Sequence, residues 1–335
     1  MARATSLLPP RGRPRLTRAL GAAALVIAAV AGCGNSGAPA GDAGATPAAA
    51  GAFPVTISHA FGETTIPAEP KRVVAVGFNE ADFVLALGVV PVGVRDFIGE
   101  FPEDTRPWAQ EALGGAKPEV VGGNEIDFEK IAALQPDLIM GVYSFMDQAA
   151  YDTLMKIAPT IPAVTEGSTA ATWQEQTRIT GKALGREEKA EEVISATEKK
   201  FADARAANPS FEGKSLALDF IVEGTAYKLG TDDLRAQVFD GLGFDVGPTT
   251  ETLSDERLSE LDKDVVVVVG VPKEALAGNQ VFQNLTAVKE NRVVYLGDYS
   301  TEFSGAIGFG SPLSLPYAID IVAPQLASAL GGSAG

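Results

Sequence analysis

Cys33 is the only cysteine of the sequence, and its thiol is the side chain whose surroundings point most directly to a chemical modification. It follows a leader whose first 18 residues carry five arginines and no acid. The next stretch, Ala19 to Val30, is uncharged and apolar, and small residues lead from there to the cysteine. This order of basic, apolar and small residues is that of a secretory signal peptide. The pattern predicts that positions 1–32 form a cleaved leader.

The residues directly before Cys33 resemble a bacterial lipobox. In lipoproteins with this signature the cysteine sulfur receives a diacylglycerol, the leader is cut before the cysteine, and the new amino terminus is acylated, for example with palmitate. We therefore predict a mature chain that begins at Cys33 and is lipid-anchored to the cell membrane on its extracytoplasmic face. The alternative is an ordinary secretory signal followed by a free thiol, which would suit a secreted chain poorly.

Residues 34–52 are mostly small, with several Gly and Pro, and such a segment cannot bury enough apolar surface to fold. We predict a flexible tether with a reach of roughly 25 Å. Loss of the five leader arginines would take the formal net charge from −16 to about −21, so the folded part would repel nucleic acid and anionic lipid surfaces. Since no cysteine follows Cys33, its stability must come from a hydrophobic core.

The sequence offers no pair of residues for nucleophilic or metal-assisted catalysis. His59 is its only histidine, which argues against Ser-His-Asp and Cys-His sites and against metal sites with several histidines. No phosphate-binding glycine loop and no nucleophile elbow occurs. We predict neither a catalytic site nor a metal site, and we expect His59 to be an exposed residue of an amino-terminal hairpin.

Short apolar strands alternate with helices from residue 73 onward, which predicts an α/β fold with mainly parallel sheets. The predicted strands are 73–76, 92–94, 138–140, 216–222, 265–269 and 293–296, and the predicted helices are 80–87, 128–134, 148–157, 235–242, 255–261, 281–289 and 315–330. One long helical stretch, 173–207, softly broken at Gly185, interrupts the alternation. We therefore predict two α/β lobes joined by a long helix. The expected boundaries are 1–32 for the signal peptide, 33–52 for the tether, 53–170 for the first lobe, 171–208 for the connecting helix and 209–331 for the second lobe.

An acidic helix that leads into a strand occurs twice with the same spacing. Glu129 is followed by Asp137 and a strand, and Glu256 is followed at identical offsets by Asp264 and a strand. Acids in the first turn of a helix interact favourably with the helix dipole. The dipole explains one acid on each helix but does not require two at matching positions, so we predict a shared function for Glu129 and Glu256.

Several segments resemble iron-siderophore ABC-transporter substrate-binding lipoproteins. The most recognisable segment is 128–139, FEKIAALQPDLI. The others are 66–76, 86–94, 151–160, 283–285, 287–289, 292–296 and 314–318. The resemblance runs from about Val55 to Leu330, and it is more specific for the ferric-siderophore branch than for cobalamin or heme relatives.

This resemblance implies two α/β lobes joined by one rigid helix, with a shallow ligand cleft between them and only a small closing motion. In the family a glutamate on each lobe docks onto arginines of the permease, and the motif assigns this role to Glu129 and Glu256. The ligand would be a ferric siderophore, whose iron already has a full set of oxygen ligands. The resemblance therefore implies neither a metal site nor a cofactor of the protein's own.

The cleft is expected beyond the carboxyl ends of the parallel strands. The candidate ligand contacts are Phe78, Asn79, Arg95, Trp108, Tyr143 and Ser144 in the first lobe and Tyr227, Arg235 and Phe303 in the second. Arginine can pair bidentately with chelate oxygens, and in an acidic protein such arginines must reverse the field at the cleft. The alternatives are a loop ion pair of Arg95 with Asp96, pairing of Arg235 with Asp232 or Asp233, and simple packing of the aromatic rings.

The function predicted from these features is that of a monomeric, lipid-anchored receptor that binds a ferric siderophore and delivers it to the permease of an ABC importer. It would perform no chemistry on the ligand. A cobalamin or heme receptor of the same fold is the alternative within transport. A surface lipoprotein that acts as an interaction scaffold is the alternative outside transport, and the two matched carboxylates favour the transport hypothesis.

Overall fold

The computed structural model describes residues 52–96, 105–164 and 171–331. Cys33, the predicted signal peptide and the predicted tether up to Gly51 lie outside the described residues. All described residues belong to one compact unit. Among them, no helix has the length and apolar character that crossing a membrane requires.

An antiparallel hairpin begins the described chain, with β1 (Val55–His59) paired to β2 (Gly62–Ile66). The predicted hairpin is confirmed, but the prediction that His59 is exposed is wrong. Its ring is buried on the inner face of the hairpin, with Nε2 at 2.9 Å from Thr64 Oγ1 and the ring edge-on to Tyr151. Burial removes water from the imidazole and thereby lowers its pKa, against the opposing charge of Glu63.

The first lobe is built on a parallel sheet. Its strands are β3 (Val73–Ala75), β4 (Gly93–Val94), β5 (Glu119–Val120), β6 (Leu138–Gly141) and β7 (Thr160–Pro162). Its helices are α1 (Glu80–Ala86), α2 (Gln110–Leu113), α3 (Phe128–Ala133) and α4 (Gln148–Leu154). The strand order β5-β4-β3-β6-β7 reverses at β3, so the carboxyl ends of β3, β4 and β6 are neighbours at the point where α/β sheets bind ligands.

Two helices follow, α5 (Trp173–Leu184) and α6 (Glu187–Ala207), and they confirm the predicted long helical stretch. Gly185 ends α5 with φ of 67°, a left-handed conformation that glycine adopts without strain, and the chain bends there. With 21 residues, α6 is about 30 Å long. Its Ala190 belongs to a hydrophobic core cluster of the first lobe. Its Phe201 belongs to the cluster that includes side chains of β8 and β11 in the second lobe, so α6 is anchored in both lobes.

The second lobe is built on a mixed sheet of order β10-β9-β8-β11-β12. Its strands are β8 (Leu216–Val222), β9 (Thr225–Leu229), β10 (Glu251–Leu253), β11 (Val265–Val269) and β12 (Val293–Tyr295). Its helices are α7 (Gln237–Gly241), α8 (Gln280–Gln283), α9 (Thr286–Lys289), α10 (Glu302–Phe309) and α11 (Ser314–Leu330). The strands β8, β11 and β12 are parallel, as predicted, whereas β9 runs antiparallel to both of its neighbours.

The structure adds β5, β7, β9, β10, α2 and α10 to the predicted elements. It divides the predicted helix 281–289 into α8 and α9, and it changes one helix type. The segment Asp255–Leu261 is a 3-10 helix instead of an α-helix, and another 3-10 turn, Leu234–Ala236, precedes α7. The strand β9 arises from a hairpin turn at Glu223 and Gly224, whose φ values of 48° and 80° are both positive. Such a turn matches the twist of the two strands that it connects.

The internal repeat has a structural basis. The strands β6 and β11, which follow the two acidic helices, occupy the same place in their sheets, beside β3 and β8. Asp137 accepts a backbone hydrogen bond of 2.8 Å from Arg72, and Asp264 accepts one of 3.0 Å from Ser215. These donors directly precede β3 and β8, so each aspartate fixes the start of the neighbouring strand.

Candidate functional site

The first wall of the cleft forms at the carboxyl ends of three parallel strands. Phe78 comes shortly after β3, Arg95 directly after β4, and Tyr143 shortly after β6. The guanidinium carbon of Arg95 lies 4.0 Å from the centre of the Phe78 ring, a cation–π contact. The Phe78 amide donates to the Tyr143 carbonyl oxygen at 3.0 Å. The structure therefore brings these three predicted ligand contacts together.

Arg95 is almost fully buried and is held by backbone carbonyl groups. Nε donates to Gly123 at 2.6 Å, and Nη2 donates to Asn124 at 2.5 Å. Nη1 donates to Val76 at 3.3 Å and to Ser144 at 3.1 Å. These bonds use all but one of the N–H groups of a guanidinium, so Arg95 mainly ties together the loops of this wall.

A buried carboxylate, Glu80, adjoins the same wall at the start of α1. It accepts hydrogen bonds from the backbone amides of Asn79, at 3.3 Å, and of Tyr143. Burial raises its pKa to about 7, although these amides and the charge of Arg95 act in the opposite direction. Glu80 thus fixes the position of Tyr143. From sequence alone it resembles any acid in the first turn of a helix, and the prediction therefore missed it.

Three aromatic rings form the surface of this wall. The ring centres of Tyr143 and Phe145 are 4.8 Å apart, and those of Phe78 and Phe145 are 5.9 Å apart. Phe145 is 59% exposed and has φ of 55°, a backbone conformation that is costly for a bulky residue. Strained backbone and a large exposed ring are features that cluster at ligand sites. Phe145, which the sequence prediction did not include, therefore extends the candidate site.

The second wall is built around Arg235. Its Nε and Nη2 donate to the two carboxylate oxygens of Asp233 at 2.7 and 2.5 Å. Its guanidinium carbon lies 4.0 Å from the centre of the Phe220 ring, and the Tyr299 ring packs against Phe220 at 5.0 Å. The structure thus shows the alternative in which Arg235 pairs with a neighbouring acid. Tyr227 is half-buried against the same core cluster.

The Tyr143 hydroxyl of the first wall is within electrostatic reach of the second wall. Burial raises the pKa of this hydroxyl, the negative charge of Asp233 raises it further, and the positive charge of Arg235 opposes both. The charges of the Asp233–Arg235 pair in the second lobe therefore act on the Tyr143 hydroxyl of the first lobe. Burial also raises the pKa of Tyr299 to about 12, with Arg235 opposing. We use "the cleft" for the space between these two walls.

Four other predicted ligand contacts are buried near the cleft and do not belong to its cluster of aromatic rings. Asn79 and Ser144 donate to backbone carbonyl groups at 3.0 and 2.7 Å. Phe303 packs in the hydrophobic core. Trp108 donates from Nε1 to Asp82 at 2.8 Å. All four side chains are less than a tenth exposed, so they support the walls and offer little surface to a ligand.

Asp82, on α1, is the centre of a polar network that joins the lobes. Its Oδ1 accepts from Arg106 Nη1 at 2.8 Å, and its Oδ2 accepts from Trp108 Nε1 and from Ser311 Oγ, both at 2.8 Å. Ser311 belongs to the turn between α10 and α11 of the second lobe. The side chains of Asp82 and Arg106 are at most 1% exposed. We call these four side chains the Asp82 network.

The two acids of the repeat are both on the surface. Glu129 lies in the first turn of α3, whose predicted N-cap Asp127 is confirmed by a 3.0 Å bond from the Lys130 amide. Glu256 lies in the first turn of the 3-10 helix Asp255–Leu261. Neither glutamate forms an ion pair within the described part of the chain, whereas the adjacent Arg257 pairs with two other glutamates. Both carboxylates are therefore open to an external cation.

A second buried carboxylate, Asp219, lies in the middle of β8, and its charge acts on Tyr299 of the second wall. It is 1% exposed, and neither of its oxygens has a hydrogen-bond partner among the described residues. Burial raises its pKa to about 7. The described residues also contain no group of three or more His, Cys, Asp or Glu that could hold a metal ion.

Comparison with known proteins places this geometry among solute-binding proteins. A family described as periplasmic binding protein matches residues 73–299. One relative is the Probable siderophore-binding lipoprotein YfiY of Bacillus subtilis (strain 168). It is 28% identical over 280 residues, which cover 75% of this chain and 83% of the relative.

Two solved structures are similar over nearly their whole length. A periplasmic solute binding protein from Mycobacterium smegmatis str. MC2 155 has a TM-score of 0.76 and 33% identity, covering 83% of this chain and 99% of that chain. PiaA from Streptococcus pneumoniae TIGR4, in complex with ferrichrome, has a TM-score of 0.71 and 26% identity. That match covers 82% of this chain and 98% of PiaA.

Proposed function

Because the chain belongs to the periplasmic binding protein family, we propose that it is a lipid-anchored, extracytoplasmic substrate-binding protein of an ABC importer. It binds a ferric siderophore in the cleft and delivers the complex to the permease. The observation that carries this proposal is the wall of aromatic rings formed by Phe78, Tyr143 and Phe145, with the Arg95 guanidinium against Phe78. The name of YfiY and the ferrichrome bound to PiaA support the ligand class.

The cleft is suited to binding a ligand without carrying out a reaction on it. Its surface consists of aromatic faces and paired charges, and the described residues hold no cluster that could bind iron directly. A ferric siderophore needs no such cluster, because the chelator already supplies the oxygen ligands of the metal. We propose Phe78, Tyr143 and Phe145 as contacts on the first wall and Tyr227, Arg235 and Tyr299 on the second. Arg95 positions the first wall and keeps one N–H group for the ligand.

We expect at least one ferric chelate to bind and to quench tryptophan fluorescence. The panel is a ferric hydroxamate, a ferric catecholate and ferric citrate, with heme and cobalamin as controls, and calorimetry gives the affinities. Phe145→Ala is expected to weaken binding about five- to tenfold, since an aromatic contact is lost at an exposed position that stability does not need. Val120→Ala, which shortens an exposed apolar side chain elsewhere, should leave affinity unchanged.

Binding of heme or cobalamin without binding of any ferric chelate would favour the alternative receptor. Binding of none of these ligands would favour the scaffold hypothesis.

The surface acids Glu129 and Glu256 are proposed to dock onto cations of the permease. Charges at a docking surface mainly set orientation and association rate. We expect Glu129→Arg combined with Glu256→Arg to lower siderophore-dependent uptake at least tenfold, with ligand affinity unchanged. The matched control is Glu111→Arg with Glu188→Arg, which changes the net charge equally at two other first-turn, exposed glutamates. Normal uptake by the folded docking variant would contradict this role.

Lipid anchoring at Cys33 is proposed from the lipobox, and the description of YfiY as a lipoprotein supports it. An anchor keeps the receptor and the permease in one membrane. It thereby raises their mutual effective concentration without any added contact. The monomeric state and the predicted lobe boundaries remain proposals of the same kind.

A further inference from the structure

We infer that the cleft selects a ferric chelate without net negative charge, such as a ferric tris-hydroxamate, over anionic ferric catecholates and carboxylates. This inference rests on the proposed function and narrows its ligand. In a tris-hydroxamate complex the negative charges of the chelating groups balance Fe(III). Catecholate and citrate complexes keep an excess of negative charge, which a receptor has to neutralise.

Arg235, the cation of the second wall, is paired with a carboxylate. Its two-pronged hydrogen bond to Asp233 balances its charge and occupies one edge of the guanidinium, formed by Nε and Nη2, while Nη1 takes no part in it. The Asp233 carboxylate takes a further 2.9 Å bond from the Arg235 amide, which holds it in this position. One face of the guanidinium is covered by Phe220. An anionic ligand at this point would meet a carboxylate together with the arginine.

Arg95, the cation of the first wall, is likewise held by neighbouring groups. Four backbone carbonyl groups accept its N–H groups, Phe78 covers one face, and its side chain is buried. The carboxyl of Glu80, which lies close enough to interact electrostatically with Arg95, offsets part of its charge. Each of these two arginines therefore has a neighbouring carboxyl group that offsets its positive charge.

The remaining surface suits a neutral complex. The rings of Phe145, Tyr143 and Tyr299 offer apolar faces, and the tyrosine hydroxyls can donate to chelate oxygens without adding charge. The acidic protein as a whole repels anions, with a formal net charge of −16 before loss of the leader. A ligand with little net charge avoids this repulsion.

The test compares two ferric chelates on the mature protein, and it uses one variant that frees Arg235. For the natural chain we expect ferrichrome, a ferric tris-hydroxamate, to bind at least tenfold more tightly than a ferric tris-catecholate, measured by calorimetry. Asp233→Asn should raise the affinity for the tris-catecholate about tenfold or more, because the Arg235 charge is no longer balanced. The readout is the ratio of the two affinities, which should shift toward the tris-catecholate whatever the change in ferrichrome affinity itself. Asparagine caps helices as well as aspartate does, so the variant should fold.

Asp232→Asn is the matched control, because Asp232 is exposed and bonds to Thr250 instead of Arg235. It should shift neither affinity. The inference is overturned if the natural chain prefers the tris-catecholate, or if Asp233→Asn leaves the ratio of the two affinities unchanged. Binding of heme or cobalamin with no ferric chelate bound would instead overturn the proposed function and this inference together.

Discussion

Asp82→Ala is expected to lower the free energy of unfolding by about 3 to 5 kcal/mol, the range for breaking a buried ion pair from one side. The carboxylate of Asp82 accepts hydrogen bonds from Arg106, Trp108 and Ser311, and the first of these donors is a buried cation. The substitution removes the acceptor that these three side chains share. Because Ser311 comes from the second lobe, the loss also weakens the connection between the lobes.

Urea denaturation monitored by circular dichroism measures this change in the free energy of unfolding. The matched control is Asp203→Ala, which breaks an exposed ion pair with Lys199 on α6. Exposed pairs contribute little, so the control should leave the midpoint of unfolding nearly unchanged. A loss of less than about 1 kcal/mol in the Asp82 variant would show that the Asp82 network is not a major source of stability.

Asp219→Asn is expected to stabilise the protein, by up to about 4 kcal/mol at pH 8. Burial without a hydrogen-bond partner raises the pKa of Asp219 from 3.8 to about 7 in the folded state. Below pH 3.8 both states hold the proton, so the carboxyl has no such cost there. As the pH rises toward 7 the unfolded chain gives up its proton first, and the free energy of unfolding falls.

The signature of this effect is its dependence on pH. Asparagine has the shape of the protonated aspartate but cannot ionise, so the difference between the two proteins should be about 2 kcal/mol smaller at pH 5.5 than at pH 8. Urea titrations at both pH values measure it. Glu80, whose pKa is also raised to about 7, is present in both proteins, and its contribution cancels. A difference that stays constant with pH would show that Asp219 does not ionise in this range.

Most of the parallel strands could be predicted because local sequence determines them, whereas the short edge strands β5 and β7 were missed. A fully buried strand such as β11, with five valines, needs only its apolar run to be recognised. The repeat of Glu129 and Glu256 predicted two equivalent units. The structure explains why the aspartates recur with them, since Asp137 and Asp264 each bond to the residue before a neighbouring strand.

The antiparallel part of the second lobe could not be predicted in this way. The turn that creates β9 uses Glu223 and Gly224, and Glu-Gly is a weaker hairpin signal than Asn-Gly or Asp-Gly. The sequence of β9, TAYKL, contains a lysine and a tyrosine and is half-buried throughout most of its length. Its other partner, β10, lies far along the chain from the hairpin of β8 and β9. Long-range contacts of this kind leave no periodic pattern.

The sequence predicted the positions of several site residues but not the contacts that their side chains make. The rule about strand ends predicted Phe78, Arg95 and Tyr143, which the structure brings together. It could not predict that Arg95 is held by four carbonyl groups, because those groups belong to loops whose paths depend on the whole lobe. Phe145 was missed because an exposed ring is recognisable only once its surroundings are known.

The anchoring of α6 in both cores has a consequence for the time course of binding. Together with the Asp82 network, it connects the two lobes at several points, and these connections oppose a large closing motion. Ligand encounter is then followed by no slow closing step, so the observed rate rises linearly with ligand concentration. Related ligands differ little in how fast they arrive and mainly in how long they remain bound. The proposed receptor would then distinguish ligands by residence time, and release to a permease would depend on shortening that time.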